Sequence, residues 1–447
     1  MKKRLLLIHP VNDRYNSVSI TASTGFPPLG LGYVAAVTPD DWEIELVDEN
    51  WERFQYKEAD LVALTAYTGN VTRAYQIAMI YRDRGIPTVL GGMHASMLPE
   101  EALRYVDTVA VGEAECTWPQ IIADFEGGRL RPLYQGIRGD LKGLVKPRRD
   151  LFHPRYLFTT ILTSRGCPWN CEFCAINTFY ENRFRARPVE EVLDELEELP
   201  RKRVWLLDDD ISPTNKRAED RLVALFEGII KRGIKIDWYC TASMNFADNE
   251  QLVELAARAG CRLVMLGVET KDVDGLEEMN KIVNLEVGVD AYDEVFRRIH
   301  RHGIGILGYF TFGMDSDTPE KMRERTDYIL SSAVDVPQIT VMTPMPGTRL
   351  MRRLGEEERL LYTDFPADWD RYDMMELTYR PASMSIEDFK SGMYDCGRRA
   401  YSHRAIFTRL SKDLRYTRAP KFSLIRFGVN YGYRSVVGKA LKMAANG

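Results

Sequence analysis

Long apolar runs are missing from this chain of 447 residues. None reaches about 18 consecutive apolar residues, the length that a membrane-spanning helix requires. The basic start, Met1 to Arg4, is followed by an apolar stretch that stops at His9 and Pro10, with no small-residue cleavage site behind it. We therefore expect neither a transmembrane helix nor secretion, and predict a cytoplasmic protein, either free or attached peripherally to the inner face of the membrane.

An overall excess of basic residues is also missing. The formal net charge is −5 and the pI is near 5.9, so we expect no nucleic-acid partner, because such partners require a basic surface. The one basic region is 401–447, where ten Lys or Arg stand against the single acid Asp413, a balance of +9 that leaves −14 for the rest of the chain. Its interleaved cations and aromatic residues are typical of a segment that contacts an anionic membrane, and equally of a helical extension packed on the preceding domain.

Cysteine is scarce, and its distribution is uneven. Three of the seven cysteines, Cys167, Cys171 and Cys174, fall within eight residues, which favours metal binding in a reducing compartment over a disulfide framework. Three thiolates on one short loop can ligate three irons of a [4Fe-4S] cubane and leave the fourth iron open. Zinc is the alternative, but zinc takes four closed ligands and no fourth Cys or His lies nearby.

Short apolar runs alternate with helical patterns in residues 1–140. The predicted strands are 5–8, 44–47, 61–65, 88–90 and 108–111. Helical patterns lie between them, near 29–37, 71–84 and 99–104. This alternation predicts an α/β domain with a doubly wound, Rossmann-like parallel sheet that binds ligands at the carboxyl ends of its strands. A less regular stretch, 127–150, is expected to be a linker.

The alternation resumes in residues 141–375. Six strands are predicted, at 159–163, 204–207, 236–241, 263–268, 306–312 and 339–343. Helical patterns separate them, at 188–199, 218–232, 249–258, 287–302 and 319–332. Six such units predict an incomplete (β/α)6 barrel with its chemistry at the carboxyl ends of the strands. Residues 376–447 are predicted to be a helical, basic C-terminal extension.

The three cysteines, with Phe173 directly before the last of them, resemble the signature of the radical S-adenosylmethionine (SAM) superfamily. The resemblance implies that Cys167, Cys171 and Cys174 bind a [4Fe-4S] cluster, that SAM chelates the open iron, and that the reduced cluster cleaves SAM to a 5′-deoxyadenosyl radical. Phe173 would lie beside these cofactors. The reaction also implies an external electron donor such as a flavodoxin or a ferredoxin.

Other residues at the ends of the predicted barrel strands match positions that contact SAM in that family. Glu269 ends the fourth strand, and the residue at this position in the family forms a hydrogen bond with SAM. An acidic residue that caps a helix would give the same sequence pattern. Asp208 and Asp210 follow the second strand, which in the family lies against the methionyl part of SAM; a solvated turn is the alternative. Ser243, after the third strand, is a further candidate.

The first 140 residues resemble the cobalamin-binding domain of the cobalamin-dependent radical SAM class. The resemblance implies that the corrin's nucleotide tail is held at the strand ends, by Thr65, Thr68, Gly91, Gly92, Gly112 and Glu113. The glycines would let the backbone approach the tail closely. The Asp-x-His-x-x-Gly motif that supplies a lower axial histidine in many cobalamin proteins is absent, and many members of this class also lack it. A domain that has lost its cofactor is the alternative.

Together these resemblances predict an enzyme that methylates an unactivated carbon of a small molecule or a lipid, with a [4Fe-4S] cluster, SAM and cobalamin as cofactors. One alternative is an oxidative cyclase or rearrangement enzyme with the same cofactors. Another is a non-catalytic sensor or binding protein that does not cleave SAM. The sequence does not identify the substrate.

Overall fold

A computed structural model of the protein describes residues 2–12, 14, 25–136 and 139–446, with side chains up to residue 438. The N-terminal sheet contains six parallel strands: β1 (Lys3–His9), β2 (Trp42–Asp48), β3 (Leu61–Thr65), β4 (Thr88–Gly91), β5 (Thr108–Val111) and β6 (Leu133–Gln135). Their order is β2-β1-β3-β4-β5-β6. The helices are α1 (Leu29–Ala36), α2 (Val71–Arg82), α3 (Met93–Met97), α4 (Pro99–Ala102) and α5 (Ala114–Glu126).

Both faces of this sheet are buried, because successive side chains of a strand point to opposite faces. In β1, Leu6 and Ile8 belong to one apolar core, whereas Leu5 and Leu7 belong to the other. The doubly wound α/β prediction is confirmed. The stretch 127–150 does more than link, since it contributes β6 at the edge of the sheet, a strand of three residues that carried no clear apolar pattern.

A second sheet forms the incomplete barrel. Its strands, in spatial order, are β7 (Thr159–Ile161), β10 (Arg203–Leu206), β11 (Asp237–Ala242), β12 (Cys261–Glu269), β13 (Gly305–Phe312) and β14 (Val336–Val341), all parallel. A short antiparallel ribbon, β8 (Ser164–Arg165) with β9 (Arg185–Ala186), follows β7. The strands β7 and β14 are the two edges of the sheet, as an open (β/α)6 barrel requires.

Helices follow the strands of the barrel along the chain. They are α6 (Ala175–Tyr180), α7 (Val189–Glu198), α8 (Lys216–Lys231), α9 (Glu250–Arg258), α10 (Val273–Glu278), α11 (Ile282–Val287), α12 (Tyr292–Arg301), α13 (Pro319–Ser331) and α14 (Arg349–Glu356). The inner face has its own apolar cluster, made of Trp205, Tyr239, Leu263, Met265, Leu307 and Val336. The predicted helix 287–302 begins only at Tyr292, after a 3₁₀ turn.

The C-terminal extension is helical, with α15 (Ile386–Ala400), α16 (His403–Thr417) and α17 (Pro420–Asn446). It packs on the barrel: Val429 and Tyr433 of α17 contact the inner apolar cluster, and the Tyr433 hydroxyl donates to Gln338 Oε1 at 2.5 Å. Arg426 is buried and pairs with Asp413 at 2.6 Å. Part of the basic charge of this region is therefore internal. Within the described residues, no helix combines the length and the apolarity needed to cross a membrane.

The chain returns to the N-terminal sheet after the barrel. Trp369 and Tyr372 are buried in one of the two cores of that sheet, and the Trp369 indole N–H lies 3.0 Å from both carboxylate oxygens of Glu101. The predicted domain boundaries at residues 140 and 375 stay predictions. Residues 361–376 follow the barrel along the chain, but they pack against the N-terminal sheet.

Candidate functional site

The three cysteines lie on the loop between β8 and α6, at the carboxyl end of the barrel. Cys171 is buried, whereas Cys167 and Cys174 are partly exposed, and none of the three forms a disulfide. The thiols lie close enough to influence one another: burial, and to a lesser degree Cys171, raises the pKa of Cys174 to about 11. Within the described residues no group of His, Cys, Asp or Glu is arranged for a single metal ion, whereas a cubane takes its thiolates at separate corners.

Gly166 shapes the start of this loop. Its φ is +86°, a conformation that favours glycine, and an added Cβ would lie 1.9 Å from the carbonyl oxygen of Arg183. Arg183 belongs to the returning arm of the same loop, just before β9. The absence of a side chain at Gly166 therefore lets the two arms of the cysteine loop approach each other.

The three consecutive aspartates after β10 hold this loop through their carboxylates. Asp208 Oδ1 accepts from the backbone N–H of Thr163 and Ser164, at 2.7 and 3.0 Å, and Asp209 Oδ2 accepts from the N–H of Gly166 at 2.8 Å. Buried carboxylates are stabilised by such hydrogen bonds. The structure thus gives Asp208 a role in fixing the loop, and its predicted contact with SAM stays a prediction.

Asp210 joins the cysteine loop to the end of β11. Its Oδ2 accepts from the Ser243 hydroxyl at 2.6 Å and from the Trp169 indole N–H at 3.1 Å, and it lies 4.0 Å from Cys167 Sγ. Burial raises the pKa of Asp210. Asp210 and Ser243, predicted separately, therefore form one hydrogen-bonded group beside the first cysteine.

Glu269, at the end of β12, pairs with a residue that the sequence did not single out. Lys281 Nζ lies 2.8 Å from Glu269 Oε1, and the Thr311 hydroxyl donates to Glu269 Oε2 at 2.7 Å. Gly267 provides the space, because a Cβ there would lie 2.7 Å from both Glu269 Oε1 and Lys281 Nζ. Glu269 itself has a φ of +58°. The carboxylate is therefore held by two partners in a buried position.

The segment that carries Lys281 also forms hydrogen bonds with the cysteine loop. The Asn280 side chain donates to the carbonyl of Asn170 at 2.5 Å, and the N–H of Glu172 donates to the carbonyl of Met279 at 3.0 Å. Lys281 Nζ lies 6.0 Å from the centre of the Phe173 ring. The predicted residue Phe173, next to Cys174 in the chain, is thus a neighbour of the Lys281 ammonium group.

The ionisation of Lys281 follows from its neighbours. Burial alone would lower the pKa of this lysine, but the negative charges of Glu269 and of the Cys171 and Cys174 thiolates outweigh burial and raise it. The ammonium group is therefore charged, and it brings a positive charge to a site whose cysteines must lose their protons to bind iron.

The predicted cobalamin residues lie together at the carboxyl edge of the N-terminal sheet. Thr65 ends β3 and is in register with Gly91, which ends β4. Gly92 has a φ of +98°, and a Cβ there would lie 2.6 Å from the carbonyl oxygen of Ala66. Gly112 follows β5 with a φ of +84°. An edge built from close backbone segments fits the approach of a nucleotide tail.

Two of the predicted cobalamin residues are engaged by protein groups. Thr68 Oγ1 lies 3.2 Å from Nδ1 of the buried His94. The Glu113 carboxylate is paired with Arg165 and Arg185, which come from the barrel unit. The sequence analysis did not single out Arg165 as a site residue, although it stands two residues before Cys167. It also did not single out Lys281, because no motif marks this lysine and it is far from the cysteines in the sequence.

Comparisons with known proteins agree with this arrangement. A family model described as the Radical SAM superfamily matches residues 161–329, and one described as a B12 binding domain matches residues 16–122. The first range contains the three cysteines, the aspartates and Glu269. The second contains the glycines and threonines at the carboxyl edge of the N-terminal sheet.

Two curated relatives cover most of the chain. A bacteriochlorophyllide d C-12(1)-methyltransferase of Chlorobaculum tepidum is 29% identical over 95% of this chain and 93% of its own length. A hopanoid C-2 methylase of Rhodopseudomonas palustris is 28% identical over 88% of this chain and 75% of its own length.

Solved structures share the fold of the whole chain. The radical SAM methyltransferase TsrM of Kitasatospora setae, with cobalamin and a [4Fe-4S] cluster bound, matches with a TM-score of 0.71 at 17% identity and full coverage of both chains. The cobalamin-dependent radical enzyme OxsB matches with a TM-score of 0.69 at 14% identity, covering 99% of this chain and 80% of that one.

The fold and the site define a radical SAM enzyme with a B12 binding domain. A radical SAM family model matches residues 161–329 and a B12 binding family model matches residues 16–122, and the curated relatives that cover most of the chain include methyltransferases and a cyclase. The predicted recognition, fold class and cofactors, a [4Fe-4S] cluster, SAM and cobalamin, are confirmed at the level of these families.

Proposed function

We propose that this enzyme methylates an unactivated carbon of a hydrophobic tetrapyrrole. The observation that supports it most is that the three-cysteine loop is held against the carboxyl edge of a B12 binding domain. When bound, the cofactors would supply a radical made from SAM at the cluster, to remove a hydrogen atom, and a methyl group carried by cobalamin. Cys167, Cys171 and Cys174 would hold the cluster.

The chain's own residues would position these groups and exclude water from them. Asp208 and Asp209 fix the cysteine loop, and Asp210 joins it to Ser243. The pair of Glu269 and Lys281 offers SAM both an acceptor and a positive charge at the end of β12. Positioned groups in a buried site need little reorganisation during the reaction.

The inner face of the barrel supports an aromatic substrate. The rings of Trp205 and Tyr239 stack with 5.6 Å between centroids, and Phe158 meets both edge-on at 5.3 and 5.1 Å. Phe26, partly exposed, adds a ring 4.8 Å from Trp205. Such surfaces favour planar, apolar rings. The bacteriochlorophyllide methyltransferases among the relatives act on substrates of this kind, so we place a tetrapyrrole before a hopanoid.

The test is anaerobic reconstitution with iron, sulfide and hydroxocobalamin, followed by reduction with SAM and a bacteriochlorophyllide. We expect 5′-deoxyadenosine and a product heavier by one methylene group, both absent in a Cys171→Ala variant. Methylation of a hopanoid but not of the tetrapyrrole would overturn the substrate class. If the unaltered protein forms no 5′-deoxyadenosine, the proposed enzyme reaction is wrong and a sensor is favoured.

An oxidative cyclisation is the second candidate. A magnesium-protoporphyrin IX monomethyl ester cyclase of Rubrivivax gelatinosus is 22% identical over 90% of this chain. A cyclisation catalysed by the present chain would use the same cofactors and the same aromatic residues inside the barrel. SAM with a deuterated methyl group separates the two reactions, because only methylation transfers that label to the product.

The C-terminal helix pair supports a peripheral membrane contact as well. Phe407 of α16 and Leu424 of α17 are 56% and 59% exposed, and the same helix pair with its connecting turn carries the exposed cations Arg404, Arg415, Arg418 and Lys421. The one acid of this region, Asp413, is buried against Arg426. A helix pair that exposes both apolar side chains and cations fits an anionic membrane surface. The electron donor, a flavodoxin or a ferredoxin, stays a prediction.

Cosedimentation with vesicles tests this contact. We expect binding to vesicles rich in phosphatidylglycerol, weak binding to phosphatidylcholine vesicles, and a clear loss in Phe407→Ser. Tyr394→Ser is the matched control, because Tyr394 is 51% exposed on α15, outside this face. Equal binding by both variants would contradict the membrane contact.

A further inference from the structure

A buried group of four charges joins the two sheets. Glu113 and Glu115 follow β5 of the N-terminal sheet, whereas Arg165 of β8 and Arg185 of β9 belong to the barrel unit. Arg165 lies 3.2 Å from Glu113 and 2.5 Å from Glu115, and Arg185 Nη1 lies 3.0 Å from Glu113 Oε2. Their side chains are between 6% and 14% exposed. We call this group the clamp.

The two arginines of the clamp stand at the two ends of the segment that carries the cysteines. Arg165 and Arg185 are paired residues of the antiparallel ribbon, so residues 166–184, including all three cysteines and α6, form the loop between them. Two neighbouring guanidinium groups repel each other, and the two carboxylates from the other sheet compensate that repulsion. The ribbon therefore meets the counter-charges of Glu113 and Glu115 when it lies against the N-terminal sheet.

The charges of the clamp balance. Burial alone would raise the pKa of Glu113, but hydrogen bonds and charges from Arg185 and Arg165 lower it overall. Glu115 faces Arg165 as well, so two negative charges meet two positive ones. A buried pair of this quality contributes to a defined geometry more than to stability, because its attraction mainly offsets desolvation.

We propose that the clamp sets the position of the cysteine loop relative to the carboxyl edge of the N-terminal sheet, and so the distance between cluster and corrin. This inference rests on the proposed use of both cofactors. It changes the role expected of Glu113: both of its oxygens are engaged by arginines, so it is a positioning residue. Arg165, Arg185 and Glu115 share that role.

The test measures electron-spin relaxation in protein reconstituted with both cofactors. A reduced cluster speeds the relaxation of a nearby cob(II)alamin, and the effect falls steeply with distance. We expect Arg185→Met to lose at least half of this enhancement, and Arg185→Lys, which keeps the charge, to retain most of it. We also expect more 5′-deoxyadenosine per methylated product in Arg185→Met.

The control is Arg426→Met, which removes an arginine from a comparably buried pair that lies within the C-terminal extension. If Arg185→Met does not fold, the double variant Arg185→Met with Glu113→Gln removes both partners and keeps the charge balance. Unchanged relaxation in the folded variant, or an equal loss in Arg426→Met, would overturn the proposal. So would an unaltered protein that binds no cobalamin. Normal relaxation effects without methyl transfer would instead contradict only the proposed function.

Discussion

Replacing Gly166 with alanine should prevent the cysteine loop from closing. The new Cβ would stand 1.9 Å from the Arg183 carbonyl oxygen, whereas ordinary contact begins near 3.4 Å, so the two arms must separate by roughly 1.5 Å. A positive φ costs alanine about 1–2 kcal/mol, and forced displacement in a packed region costs about 1–3 kcal/mol more. We expect a total destabilisation of about 2–5 kcal/mol, concentrated at the cluster site.

Gly233→Ala is the matched control, because Gly233 has a φ of +66° but nothing within 4 Å of the added Cβ. It should lose only the conformational part, about 1–2 kcal/mol in urea unfolding. After anaerobic reconstitution, iron and sulfide per chain should be strongly reduced in Gly166→Ala and normal in Gly233→Ala. A full complement of iron in Gly166→Ala, or equal destabilisation of both variants, would refute the argument.

Two further predictions concern buried charges. Burial raises the pKa of Asp209 from 3.8 to about 6, so the folded state holds this proton more tightly than the unfolded state and loses stability as pH rises from 4 to 6. Asp209→Asn should therefore stabilise the cluster-free protein at pH 7, by up to about 3 kcal/mol in urea unfolding, with the gain vanishing near pH 4. Arg325→Met should destabilise by about 3–5 kcal/mol, because Asp317, 2.6 Å away and fully buried, loses its counter-charge, and Asp317→Asn added to it should recover part of the loss.

Sequence reasoning succeeded where the signal was local. The spacing of the cysteines predicted that they share one loop, which the structure places between β8 and α6, and the alternation of apolar runs with helical patterns predicted both sheets. Candidate site residues at the ends of strands could be predicted because the carboxyl ends of parallel strands meet at one edge of a sheet. Glu269 and Ser243 were singled out in this way, and the structure places them at the predicted strand ends.

Contacts between distant segments could not be predicted. Glu113 has the appearance of a cofactor residue in sequence, yet its partners lie 52 and 72 positions further on, at Arg165 and Arg185. The tail shows the same limit: its composition fits a membrane contact and a packed extension equally well, and it does not reveal that Arg426 is buried against Asp413, thirteen residues earlier on the neighbouring antiparallel helix. Charge counted along a chain says nothing about which charges meet in space.

Lys281 is the residue of the site that a single sequence conceals, and its pairing with Glu269 makes a testable claim. Lys281→Met would leave the Glu269 carboxylate buried with only the Thr311 hydroxyl as a partner. Breaking a buried pair from one side costs about 3–5 kcal/mol, so the single variant should be strongly destabilised in urea unfolding of the cluster-free protein.

The double variant Lys281→Met with Glu269→Gln removes both charges. Because no buried charge then remains uncompensated, it should be less destabilised than the sum of the two single variants, with a coupling energy of about 1–3 kcal/mol. The matched control is the pair of Arg262 and Asp237 at the opposite end of the barrel, also 2.8 Å apart but with side chains 29% and 25% exposed. Water screens that pair, so its coupling energy should stay below about 1 kcal/mol. Strict additivity at Lys281 and Glu269 would show that they act independently, and that the lysine lies near the cysteines without holding the carboxylate.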